Sequence, residues 1–260
     1  MVSRDEITQA THQIIGQDLL EKSWVKDEVA NGVQIEGALE VSKVALGVSL
    51  NQTFLKAAIK WGAQYCIFHH GLDTQTHLSR IPKYLQGHLQ LIFTHQLTIA
   101  GYHYTLDAHP EIGNNAQIIK LLGAKLKEPL YEDWGYVGEF DQTQEMDNLI
   151  ERCHKLFNHE VLSFRSNNNP IKTIGVVSGA GKPQAKHVEE IISKHIDLYI
   201  SGETSEYIPH RLIESGISYF ICGHYATETF GIKALGEKLK EHFKNQLEIK
   251  FIDIPTVIWN

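Results

Sequence analysis

Four histidines and two carboxylates in this chain have the types and spacing that hold transition-metal ions. His69 and His70 directly follow the short apolar run Tyr65–Phe68. His103 and Asp107 lie four residues apart in AGYHYTLDAH, as do His224 and Glu228 in CGHYATETF. Imidazole nitrogen combined with carboxylate oxygen suits zinc, iron, manganese or nickel. Neighbouring side chains on an extended strand point to opposite sides. Two adjacent imidazoles therefore chelate one ion poorly, but can diverge towards two ions where a strand opens into a loop. Three histidines and one acid could fill a single site. Four histidines and two acids exceed one tetrahedral shell, and a carboxylate can bridge two ions. Each group also has an ordinary explanation: a buried hydrogen-bonded histidine pair, a loop-capping Asp107, or a Glu228 whose charge favours a helix start. It is their joint position, each after a strand, that points to chemistry.

The elements that must position these residues alternate between strand and helix. Ser3 and Glu6 have capping-box spacing and open a helix running to about Leu20. Asn31-Gly32 marks a turn before a short strand at Val33–Ile35. Strands are expected at Lys43–Leu50, Tyr65–Phe68 and Leu97–Tyr102, with helices at Thr53–Trp61, Arg80–His95 and Asn114–Leu122. Asp73–Ser79 reads as a polar loop. The second half predicts helices at Glu145–Phe157, Gln184–Lys194, Glu203–Glu214 and Glu228–Phe243. Strands fall at Val161–Phe164, Thr173–Val177, Asp197–Ile200, Ile217–Cys222 and Leu247–Ile252. Gly135–Phe140 and the turn Asn167–Pro170 read as irregular connections.

The strand at Val44 answers that at Ile174, the one at Cys66 that at Leu198, and the one at Ile99 that at Phe220. The offset drifts from about 130 to about 120 residues. The fold class is α/β: two similar, intertwined units with mixed sheets and a three-layer α/β/α character. Residues 1–125 make the first unit, with the histidine pair and Asp107. Residues 126–260 make the second, with His224 and Glu228. Ligands of open α/β sheets gather beyond the carboxyl ends of the strands, where all these residues fall.

With 260 residues, 42% of them hydrophobic and 21% charged, the chain has room for such an arrangement. A net charge of −7 offers no basic field for nucleic acid. The first residues, MVSRDEITQA, lack the apolar core of a signal peptide, and no run is long enough to cross a bilayer. Cys66, Cys153 and Cys222 form no CxxC pair and read as core residues of a reducing compartment, so the expected location is the cytoplasm.

The segments FHHG, YHYTLDAHPEIGNNAQ, ISGETSE and GHYATET resemble the motifs of the GTP cyclohydrolase 1 type 2 homologues. That family is also described as Nif-three-like dinuclear metal proteins. The resemblance spans nearly the whole chain, from NGVQIEG to the final helix. It implies two intertwined α/β units assembled into a toroidal homohexamer. It also implies two divalent metal ions per chain, held by His69, His70, Asp107, His224 and Glu228, with Glu228 bridging. His69 and Asp107 would serve one ion, His70 and His224 the other. His103 is not among the family's usual ligands, so the resemblance gives it a place beside the ions or facing the substrate, as a candidate catalytic group.

SGAGKPQ looks like a phosphate loop but lacks the required pattern: Val176 stands where a glycine is needed, and Pro183 follows Lys182. Glu203 and Glu206 in SGETSE are either proton-transfer groups or the start of a helix. The functional expectation is a dinuclear-metal hydrolase of a small, nucleotide-like substrate. In the reaction the resemblance implies, water attacks C8 of the guanine ring of GTP and formate leaves. A metal-binding or regulatory toroid and a two-metal phosphoesterase are the alternatives.

Overall fold

The computed structural model describes residues 1–27, 31–73, 81–244 and 246–256. The chain begins with β1 (Val2–Ser3), α1 (Arg4–Ile15), α2 (Gln17–Lys26), β2 (Asn31–Ile35), β3 (Glu40–Val41) and β4 (Lys43–Ser49). It continues through α3 (Gln52–Trp61), β5 (Tyr65–His70), α4 (Lys83–Thr94), β6 (Thr98–Tyr102) and α5 (Tyr104–Ala108). Next come α6 (Asn114–Leu121), β7 (Lys125–Leu130), β8 (Gly135–Gln144), α7 (Met146–Phe157), β9 (Leu162–Phe164) and β10 (Ile171–Val177). Then α8 (Ala185–Ser193), β11 (Leu198–Ser201), α9 (Ile208–Glu214), β12 (Ser218–Ile221), α10 (His224–Thr227), α11 (Thr229–Phe243) and β13 (Glu248–Phe251) complete the order.

Two compact units result, one of Met1–Leu106 with Gly231–Ile254 and the other of Asp107–Phe230 with the tail from Pro255. The sequence boundary near residue 125 thus differs from the structural one. Helix α6 packs on β8 and β10, which carries residues 107–125 into the second unit. Strand β13 pairs with β4, which returns the C-terminal segment to the first.

In the first unit the sheet order is β13-β4-β5-β6-β2, parallel except for β2, which runs antiparallel to β6. Alternation along the strands decides what each face buries. Ala45, Cys66, Phe68 and Ile99 meet Phe54, Leu55 and Ala58 of α3 and Leu85 and Ile92 of α4. On the opposite face the Tyr65 hydroxyl lies 3.0 Å from Thr8 Oγ1 of α1, and Leu46 packs at Gly236 of α11. The capping box forms as the spacing predicts: Ser3 Oγ accepts from the Glu6 amide at 3.1 Å, and Glu6 Oε2 from the Ser3 amide at 2.8 Å. Gly16, at φ +90°, then breaks the expected single helix into α1 and α2.

In the second unit the order is β7-β8-β10-β11-β12-β9. The central strands β10, β11 and β12 are parallel, flanked by antiparallel β8 and β9. Ile174, Val176, Leu198, Ile200, Phe220 and Cys222 meet α6 and α7, while Val177, Tyr199, Tyr219 and Ile221 meet α8 and α9. This is the three-layer arrangement. Each such fully buried aliphatic contributes about 1.5–3 kcal/mol. The triplet β4-β5-β6 with its antiparallel neighbour β2 matches the triplet β10-β11-β12 with β9, as the internal repeat predicts.

Gly135–Phe140 is not an irregular connection; it belongs to β8, whose glycines obscure the strand pattern. Gly138 is needed there, because a Cβ would come within 2.7 Å of Ile119. Glu203 does not begin α9, which starts only at Ile208, with Pro209 in its first turn. The loop expected after Asp73 and the helix start at Arg80 lie outside the described residues. No helix among the described residues is long and apolar enough to cross a membrane.

Candidate metal centre

In the first unit the strand β5 runs through the histidine pair. The expected opening into a loop comes one residue later, because the Leu50 amide still donates to the His70 carbonyl at 2.9 Å. The two rings nevertheless lie 4.6 Å apart between centroids. His103, just after β6, completes a triangle, 4.9 Å from the His69 ring and 5.2 Å from the His70 ring. One nitrogen from each of the three falls within 4.8 Å of the others, a spacing that an ion could span.

Their hydrogen bonds fix which nitrogen is offered. His69 is fully buried, and its Nδ1 lies 3.1 Å from the carbonyl oxygen of Tyr102. A carbonyl only accepts, so Nδ1 carries the proton and Nε2 the lone pair. His70 Nδ1 is 3.0 Å from Ser49 Oγ. His103 Nδ1 is 3.0 Å from Oδ2 of Asp27, which also accepts from the Tyr104 amide at 3.0 Å and from Asn31 Nδ2 at 2.8 Å. Burial pushes the Asp27 pKa upwards, but the bond to His103 and the other donors outweigh it, so the carboxyl lies below its ordinary value. Sequence reading missed Asp27, which stands 76 residues from His103 and carries no motif of its own.

Asp107 belongs to the second unit and is buried, with 6% exposure. Its Oδ1 accepts from Asn114 Nδ2 at 2.9 Å and from Ser178 Oγ at 2.7 Å. Asn115 bonds the Asp107 carbonyl at 3.1 Å and accepts from the Ser178 amide at 2.7 Å. The GNNAQ stretch is therefore a carboxylate clamp as well as a helix start.

His224 opens the single turn α10, and Glu228 stands at the junction with α11, which begins at Thr229, one residue after the expected start. The i,i+4 spacing still brings them together, His224 Nε2 to Glu228 Oε1 at 3.1 Å. Glu203 Oε1 lies 2.5 Å from His224 Nδ1, and Lys182 Nζ lies 3.1 Å from Glu203 Oε2. Burial works against a charge on His224, but the bonds and charges of Glu228 and then Glu203 prevail and raise it to about 9. Burial likewise opposes the Glu203 charge, and His224 with Lys182 brings its carboxyl below the ordinary value.

The glycine turn that failed as a phosphate loop has a different use here. Gly179 sits at φ +57° and donates its amide to Thr227 Oγ1 at 2.9 Å. A Cβ on it would fall 2.0 Å from Glu228 Oε1 and 3.2 Å from His224 Nε2. The missing side chain leaves room beside this imidazole and carboxylate. That cradle, and the nitrogen and oxygen donors themselves, fit a divalent transition-metal ion. Within their own units, His69, His70 and His103 come together, as do His224 and Glu228, and Asp107 is clamped separately.

Comparison with known proteins agrees with the motifs. The chain is 36% identical over 262 residues to the "GTP cyclohydrolase 1 type 2 homolog" of Pyrococcus horikoshii, covering 98% of this chain and 99% of that protein. It is 32% identical over 248 residues to the protein of the same name from Haemophilus influenzae, covering 94% and 97%. Among solved structures, a Thermus thermophilus protein superposes with a TM-score of 0.84 at 28% identity, covering 98% of this chain and 99% of that one. The model of the Duf34/NIF3 (NGG1p interacting factor 3) family matches residues 5–257, and the chain belongs to that family.

Proposed function

We propose that this protein is a dinuclear-metal-dependent hydrolase of a small, nucleotide-like substrate. His69 and His70 in the first unit, and Asp107, His224 and Glu228 in the second, are the residues that would hold two divalent transition-metal ions. The observation that carries the reading is the gathering of donors in each unit. Three imidazoles converge after β5 and β6 in the first, and an imidazole–carboxylate pair stands beside the Gly179 cradle in the second. When bound, the ions supply Lewis acidity and lower the pKa of water towards 7. The chain's residues do the rest. Asn114 and Ser178 hold Asp107 in place, the Tyr102 carbonyl orients His69, and Asp27 fixes His103 so that its Nε2 can pass a proton to or from the substrate.

The name of the relatives points to opening of the guanine ring of GTP, and a purine nucleotide is the substrate class that follows. We further propose a toroidal homohexamer in the cytoplasm, as the resemblance of the motifs implies. Turnover of a panel of nucleotides and phosphoesters by the metal-loaded protein tests the activity. Formate release from a purine nucleotide is the expected result. Phosphate release would make the protein a phosphoesterase, and no turnover with both ions bound would leave a metal-binding assembly.

A further inference from the structure

The geometry points to Glu203 as the positioning residue that aims His224 at its ion, with Lys182 as its tether; this rests on the metal-centre reading above. Glu203 is held at three points. Its Oε1 meets His224 Nδ1 at 2.5 Å, its Oε2 meets Lys182 Nζ at 3.1 Å, and its backbone carbonyl accepts from Ser201 Oγ at 2.8 Å and Tyr219 Oη at 2.7 Å. A carboxylate fixed at both oxygens and at its own backbone is poorly placed to shuttle protons, and well placed to hold a ring. A carboxylate only accepts, so Nδ1 of His224 keeps its proton and Nε2 is the nitrogen directed towards Glu228. Histidines that bind metals commonly donate their other nitrogen in this way, which sets both ring orientation and donor strength.

The approach depends on Gly202, where a Cβ would stand 2.8 Å from the His224 Cα. Chain direction gives independent support. Glu203 follows β11 and His224 follows β12, the strands that answer β5 and β6. In the first unit His103 also follows the third strand of its parallel triplet, and it too has Nδ1 on a carboxylate, that of Asp27 at 3.0 Å. The device of imidazole plus orienting carboxylate thus occurs in both halves, with the carboxylate supplied from different elements.

The test is Zn2+ affinity of the full chain, measured by competition with a chromophoric chelator, together with the d–d spectrum of the Co2+-loaded protein. Glu203→Ala is expected to weaken one ion by about 10–100-fold and to shift the Co2+ bands. Glu203→Gln keeps an acceptor and is expected to lose less; Lys182→Ala, which only loosens the tether, is expected to lose least. Unaltered Zn2+ affinity and Co2+ bands in Glu203→Ala overturn the inference while leaving the metal centre intact. A wild type that takes up neither Zn2+ nor Co2+ overturns both. Should Glu203→Ala fail to fold, the metal-free Glu203→Gln protein decides by NMR. The low-field Nδ1 proton of His224 is expected to move, and an unchanged resonance overturns the inference.

Discussion

Gly179→Ala tests the metal centre with a single methyl group. Its Cβ would lie 2.0 Å from Glu228 Oε1, against the 3.4 Å at which ordinary contact begins. Restoring contact requires the carboxylate to retreat by about 1.4 Å, and a donor that bonds an ion at about 2.0–2.2 Å is then out of reach. Glu228 is 2% exposed, so it has little space to adapt. The backbone adds a second cost, because an L-residue at φ +57° loses about 1–2 kcal/mol. Gly62→Ala separates the two effects: it carries a similar left-handed strain at φ +85°, with nothing within 4 Å of its Cβ. Both variants should lose a few degrees of Tm. Only Gly179→Ala should lose Zn2+ affinity, by at least about 100-fold if a displaced ligand costs more than a displaced supporting group. Titration of the two variants against a competing chelator reads the difference. Wild-type affinity in Gly179→Ala, or equal losses in both, would falsify the cradle.

Metal analysis of the purified protein should give about two ions per chain. Glu228→Gln should lower both, His70→Ala should chiefly empty one, and His103→Ala should leave metal content intact; the reverse pattern for Glu228 and His103 would refute the ligand assignment. Asp27 has a folded pKa below its unfolded value, so its stabilisation is present above about pH 4 and disappears as pH falls through the folded value. The gap in urea midpoint between wild type and Asp27→Asn should therefore be wide at pH 7 and narrow towards pH 3; a constant gap would show that the charge is not what matters. Light scattering at micromolar concentration with metal present should give a hexamer, and a monomer would exclude the toroid.

The parallel triplets β4-β5-β6 and β10-β11-β12 were legible because their apolar runs are continuous and buried on both faces. Strand β8 was not, since glycines at 135 and 138 and a polar second half, Asp141–Gln144, conceal its period. The histidines were legible as a set because the repeat places them after matching strands. Their supporting residues were hidden for a different reason. Asp27 and Lys182 reach their partners across 76 and 21 residues, and only tertiary structure makes such neighbours. Glu203 was in view, but only as a proton-transfer group or the start of a helix. Pro209, tolerated only in a helix's first turn, holds the start of that helix back to Ile208 and leaves Glu203 in the loop before it, where it reaches His224. Gly179 was noticed through a motif it does not fulfil, and its actual role depends on φ and on a carboxylate 49 positions later in the numbering.

Because β13 pairs with β4 in parallel, Phe251 beside Leu46, the first unit gains its outer strand only from the last part of the chain. Residues 107–230 of the second unit are contiguous and can close before that part is made. At about 5–20 residues per second, roughly seven to thirty seconds of synthesis separate the completion of β6 from that of β13. Throughout this interval the backbone edge of β4 faces the cell, with Val44 and Leu46 beside it. An edge of this kind templates pairing with other chains. A ribosome stalled before residue 248 would therefore release a chain with one sheet finished and the other open, a natural client for chaperones that hold nascent strands.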